Sequence, residues 1–157
     1  MNPATYVITR SAYTTPTADT CYVQLIAATG YILSLVEFQV TFDGTDSAGP
    51  QYNIRLTRQT TAGTGGTAAN WAINAMSPNE SRANTLTYLQ GFTAGAPNMP
   101  TETDVYDRAY VHPQRGYMYR PAQPLLVLPT GRIGICGSVG TARASNWRIV
   151  VQEIKVA

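Results

Sequence analysis

Between residues 33 and 42 the apolar pattern changes phase, and few folds accommodate that change. Val36, Phe38, Val40 and Phe42 alternate with Glu37, Gln39 and Thr41. Period 2 belongs to a strand with one face buried and one face wet. Just upstream, Leu33 and Leu35 alternate in the opposite phase. Both halves can face one core only if a residue is inserted, so a β-bulge is expected where Leu35 meets Val36. The C-terminal run repeats the pattern. Trp147, Ile149 and Val151 alternate, and Ile154 and Val156 continue one step out of phase. In this reading Glu37 and Glu153 take outward positions. Long, bulged strands that curve between packed layers fit a two-sheet sandwich.

Further strand-like runs follow at short spacing, over roughly 20–28, 31–42, 52–59, 86–92, 105–112, 117–119, 124–128, 132–139 and 146–156. Turn signals separate them: Thr29-Gly30, Asp43-Gly44, Ala48-Gly49-Pro50, Gln114-Arg115-Gly116 and Pro129-Thr130-Gly131. Many short strands with frequent turns predict an all-β fold, a two-sheet antiparallel sandwich with bulged strands and long end loops. The best helical candidate, Asn79 to Ala83, is a single turn. Residues 1–19 read as an N-terminal arm with a short edge segment at Tyr6-Val7-Ile8, and 20–157 as one sandwich domain. The segments 60–70 and 93–104 read as long loops, which in a sandwich gather at its ends.

Composition narrows the function. Charged residues are 13% of the 157, about half of the ~25% usual in globular domains. A polar but charge-poor surface suits a subunit partly covered by neighbours. The net charge of +2 is too small for a nucleic-acid footprint, and no stretch is long enough to span a membrane. Met1 to Thr5 shows no basic segment leading into an apolar run, so synthesis in a reducing host cytoplasm is expected. Cys21 and Cys136 lie in strand-like runs without metal-ligand spacing, which reads as buried thiols, with a disulfide across the sandwich as the alternative.

Reactive groups that could converge are scarce. His112 is the one histidine, and Ser138 lacks the strand-turn-helix setting of a nucleophile elbow. One His and two distant Cys do not supply the ligands zinc requires. Asp43-Gly-Thr-Asp46 resembles a calcium loop only superficially, and a turn capped by Asp side chains explains it. The cluster Glu102, Asp104, Asp107 is followed by Arg108 and reads as a solvated or paired loop. The stretch Gly63-Thr-Gly65-Gly66-Thr67 lacks the ending of a phosphate cradle. Asn79-Glu80-Ser81 matches a glycosylation acceptor and reads as a chance match. The expectation is a protein without catalysis, cofactor or metal.

One constellation is left. Tyr106, Tyr110, Tyr117 and Tyr119 fall close to Arg108, Arg115 and Arg120, and the N-terminal segment adds Tyr6, Arg10 and Tyr13. Tyr and Arg together mark protein interfaces. The alternatives are that half of these tyrosines serve the core or its rim, or that their faces stack on sugar rings.

The run Glu37-Phe-Gln-Val-Thr-Phe-Asp-Gly-Thr-Asp46, with Pro50-Gln-Tyr-Asn-Ile-Arg-Leu-Thr-Arg-Gln-Thr-Thr-Ala-Gly-Thr-Gly-Gly-Thr67, resembles small structural proteins of tailed bacteriophages. Trp147-Arg-Ile-Val-Val-Gln-Glu153 is similar to the closing strand of that group. The resemblance covers about a third of the chain. It implies a jelly-roll-like virion protein of the decoration or cement type. Such a protein is expected to sit on the capsid surface as a homotrimer that clamps neighbouring major capsid subunits. The alternative is a phage tail or adhesin-type carbohydrate-binding module on the same fold; a small sandwich enzyme acting through His112 is the more distant rival.

Overall fold

The computed structural model of the protein describes residues 3–43, 49–77, 84–94, 98–138 and 140–156. Within them lie strands and no helix. The strands are β1 (Ala4–Thr14), β2 (Thr20–Ile26), β3 (Tyr31–Phe42), β4 (Tyr52–Gln59), β5 (Thr67–Ala68), β6 (Ala72–Ala75), β7 (Thr87–Gln90), β8 (Glu102–Val111), β9 (Tyr117–Tyr119), β10 (Leu125–Val127), β11 (Arg132–Ser138) and β12 (Ala144–Lys155). They form two antiparallel sheets. The first has the order β10-β3-β12-β1-β6, with β9 also on β3, and the second β5-β7-β2-β11-β4-β8.

The expected all-β two-sheet sandwich is therefore the observed fold. The strands β1-β12-β3-β9/β10, facing β2-β11-β4-β8, follow the order of a jelly roll. Strands consecutive in the chain repeatedly cross from one sheet to the other, and the core lies between the layers. Ile8, Leu33, Leu35, Phe38, Val40 and Ile149 from the first sheet meet Val23, Leu25, Ile54, Leu56, Ile133 and Ile135 from the second.

The phase change in β3 is a bulge. Glu37 pairs with Val150 and Leu35 with Val151, so Val36 has no partner on β12. Leu33, Leu35, Phe38 and Val40 all reach the core. The similar phase change in β12 has a different cause. Its ladders to β1 and β3 run without a break from Val151 to Glu153. Glu153 keeps the inward phase beside Ala4 and Leu33, and is buried. Its carboxylate accepts the Thr85 backbone N–H at 3.0 and 3.1 Å and the Thr85 hydroxyl at 2.8 Å. Glu153 therefore does not face outward as expected: a carboxylate whose oxygens are hydrogen-bonded by Thr85 can take an inward position. Glu37 faces outward as expected but is buried by Arg148, which pairs with Glu37 Oε1, and by Arg120 at 3.0 Å from Oε2.

The N-terminal segment departs from the expected arm. β1 pairs with β12 along one edge and with β6 along the other. Ala4, Tyr6 and Ile8 supply a short inward alternation, and β12 would otherwise show an open edge. A bulge at Ser11–Ala12 bends the strand. Ala12 takes a φ of 52°, and its N–H donates to Asn146 Oδ1 at 3.2 Å. Beyond β1, Thr15 is buried and its hydroxyl donates to the Arg143 carbonyl at 3.1 Å.

The segment 60–70 carries the two residues of β5, and β6 was not anticipated. The proposed turn at 79–83 and glycosylation acceptor, and Gly44, Thr45 and Asp46, lie outside the described residues.

Candidate functional site

Two regions remain once the core is accounted for. The first is the flank where β8, the edge of the second sheet, meets β9 and β10, the edge of the first. Tyr117 and Tyr119 point inward from β9 and pack on Phe38, with ring centroids 5.7 and 5.6 Å away. The Tyr117 hydroxyl donates to Asp107 and ties the two edges together. Burial, then the Asp107 hydrogen bond, pushes the Tyr117 phenol well above its ordinary range.

The alternation that buries Tyr117 and Tyr119 turns Met118 outward. In the same way, the paired apolar residues Leu125-Leu126 and Val127-Leu128 must each leave one member outside. Val105, Tyr106, Tyr110, Met118, Leu126 and Leu128 are 41–65% exposed. Six of the eight exposed large hydrophobic residues among those described thus lie on β8, β9 and β10 or just after it, but they do not share one face: Val105 and Tyr110 oppose Thr57 and Asn53 on the outer face of the second sheet, whereas Met118 and Leu126 oppose Gln39 and Ser34 on the outer face of the first. Arg108, Arg115 and Arg120 are exposed on the same stretch. A cleft of about 500 Å³ opens there between Tyr106, Leu126, Leu128, Arg58 and Arg132.

Of the expected interface residues, Tyr106, Arg108, Tyr110, Arg115 and Arg120 are exposed and Tyr117 and Tyr119 half-buried; Tyr106 lines the cleft, while Arg108 and Tyr110 take the phase of Arg55 and Asn53 on the outer face of the second sheet. The N-terminal three go elsewhere. Tyr6 is buried in the core, because its position shares the inward phase of Ala4 and Ile8. Tyr13 packs on Tyr22 and Trp71, with centroids 6.5 and 6.0 Å away. Arg10 is half-buried on β1, and its Nη1 reaches the Asn70 carbonyl at 3.4 Å. Met118, Leu126 and Leu128 were missed, although adjacent apolar pairs on short strands already imply an outward-facing member.

The second region is a buried polar layer on the outer face of the second sheet. Arg55 lies opposite Cys136, and its guanidinium bonds Asp19 at 2.7 and 2.9 Å and Glu102 at 2.9–3.2 Å. Burial works against its charge, but the bonds to Glu102 and Asp19 outweigh it and raise the guanidinium above its ordinary value. Beside it, Gln24 Nε2 donates to Gln59 Oε1 at 2.7 Å and to the Thr61 carbonyl at 2.9 Å. Gln59 Nε2 lies against both cysteine sulfurs. Gly134 leaves the room for Gln59, since a Cβ there would overlap its amide. Phe92, Leu89 and Met99 cover the thiols.

Among the described residues no three of His, Cys, Asp and Glu gather to hold a metal. His112 Nδ1 accepts the Gln114 N–H at 3.2 Å, within the turn that leaves β8. The carboxylates of Asp19, Glu37, Glu102 and Glu153 are engaged by Arg or Thr groups that hold them in place.

The fold defines a class: a two-sheet antiparallel β-sandwich, here with an edge cleft lined by Tyr106, Leu126 and Leu128. No protein-family model, curated protein or solved structure matches the chain.

Proposed function

We propose that this protein is a non-enzymatic virion structural subunit, a capsid decoration or cement protein of a tailed phage. It holds on to other protein as a homotrimer that clamps neighbouring major capsid subunits at the capsid surface. The observation that carries the reading is the exposed apolar cleft of Tyr106, Leu126 and Leu128 at one edge of the sandwich. Clusters of exposed apolar residues with Tyr and Arg mark protein contacts. The phage-like runs at 37–46, 50–67 and 147–153 support the class of partner. A stiff two-sheet body supplies the clamp, closed symmetry lets identical flanks meet, and several attachment points per oligomer turn modest contacts into tight retention.

The test pairs light scattering with co-sedimentation on heads of the encoding phage. Wild-type protein is expected to scatter as a trimer and to sediment with heads. Tyr106→Asp combined with Leu128→Asp should leave the circular dichroism unchanged and weaken attachment at least about tenfold, the scale of losing one hot spot. A monomer that binds glycans and ignores heads sinks this reading in favour of the adhesin.

A further inference from the structure

Cys21 and Cys136 are distant in the chain and face each other in the fold. A bulge in β2 makes them partners. Val23 opposes Ile135, and Cys21, rather than Tyr22, opposes Cys136. Tyr22 thereby joins the main core, and Cys21 joins Cys136 on the outer face. Directly opposed antiparallel residues have Cα atoms about 4.5–5.5 Å apart, within the ~4.4–6.8 Å that a disulfide spans. The sulfurs converge on one amide, since Gln59 Nε2 lies 3.1 Å from Cys136 Sγ and 3.4 Å from Cys21 Sγ. Both cysteines are free thiols, 1% and 0% exposed. Among the described residues no third ligand makes the pair a metal site.

We propose that Cys21 and Cys136 are a latent disulfide site, which a hydroperoxide converts to a cross-link between β2 and β11 without rearranging the sheet. The proposal rests on this geometry and is independent of the virion reading. In the first step one sulfur attacks the peroxide, the O–O bond breaks, and a sulfenic acid and one water (or alcohol) form. In the second step the other sulfur attacks the sulfenic sulfur, the S–S bond forms, and the oxygen leaves as water. Two thiols lose two electrons and two protons, and one peroxide is reduced.

The site is guarded. Burial first, and the neighbouring Cys21 second, push the Cys136 thiol well above its ordinary range. Thiolate is scarce at neutral pH, and reaction waits for Phe92 and Met99 to move aside. The chain therefore folds as the dithiol and oxidises slowly. The product closes a loop from 21 to 136, a separation of 136 − 21 = 115 residues, which constrains the unfolded chain more than a local bridge does.

The test treats native protein with hydrogen peroxide, unfolds it in an alkylating agent, and maps tryptic peptides without reduction. The expected product is lighter by two hydrogens, has no free thiol, and links peptides 11–55 and 133–143 within one chain. Its midpoint of thermal unfolding rises, and falls back on reduction. Cys21→Ser and Cys136→Ser should each abolish the link; mapping of the wild type decides the matter even where those variants fail to fold. Sulfinic or sulfonic acid on unlinked peptides, links between chains, or thiols that survive prolonged peroxide would overturn the proposal. A linked product with a lowered midpoint would overturn the claim that the bridge fits the sheet as it stands.

Discussion

Tyr22 shows how a single residue can carry an unmet demand. Its ring lies 5.5 Å from Trp147 and 6.5 Å from Tyr13, yet its buried hydroxyl has no hydrogen-bond partner among the described residues. A buried donor without a partner forfeits the water it left. Tyr22→Phe keeps the ring and removes the orphan, so it should stabilise the protein by up to about 1 kcal/mol, read as a higher urea midpoint with an unchanged slope. Arg55 is the opposite case. It is as deeply placed, but two carboxylates meet its guanidinium. The difference between the two residues lies in the partners, which no single position in the sequence displays.

At the scale of the element, the strands are shaped by where the backbones crowd. Gly137 pairs with Ile54 on β4 and Thr20 on β2, and a Cβ there would overlap the Asn53 carbonyl oxygen. A glycine inside a strand often marks such close approach. Gly137→Ala is expected to cost about 3 kcal/mol and to speed hydrogen exchange in β11 and β4 before the other strands; protection equal to wild type would count against this account. The bulges follow the same logic of fit. Val36 was legible because apolar residues stand on both sides of the phase change. The break after Val151 looks alike in sequence, but a buried Glu153 bonded to Thr85 replaces the bulge. Polarity alone does not tell an outward carboxylate from an inward one with a partner.

For the whole molecule, the tyrosines set a limit at high pH. Burial raises the phenols of Tyr13, Tyr22, Tyr52, Tyr117 and Tyr119 above the ordinary value of 10.0. The folded state thus keeps protons that the unfolded chain releases near pH 10. By linkage, this stability is fully present below about pH 10 and is lost as pH climbs above it. A pH titration should show the phenolate absorbance of these five appearing together with loss of the near-ultraviolet dichroism of the packed aromatics. Ionisation of all ten tyrosines with the packing intact would contradict the burial of these rings. The same packing explains the surface. With Tyr22, Tyr52, Trp71 and Trp147 inside, the large apolar groups left at the surface fall mainly on β8, β9 and β10 or just after it.

The alternation of small sets of residues settled the architecture in advance. Leu33 to Phe42 prescribed a bulged strand, the run Ile54-Arg-Leu-Thr-Arg58 a strand with two distinct faces, and the frequent turns a sandwich, because side chains on a strand can only point one way or the other. Three things needed the folded chain: that Tyr6 goes inward on a central strand, that Arg55 and Gln59 lie under cover on an outer face, and that Cys21 meets Cys136. Each depends on which strand lies alongside which, and on what segment lies over the sheet. Those are relations between residues dozens of positions apart, fixed by the joint packing of both sheets and written in no local pattern.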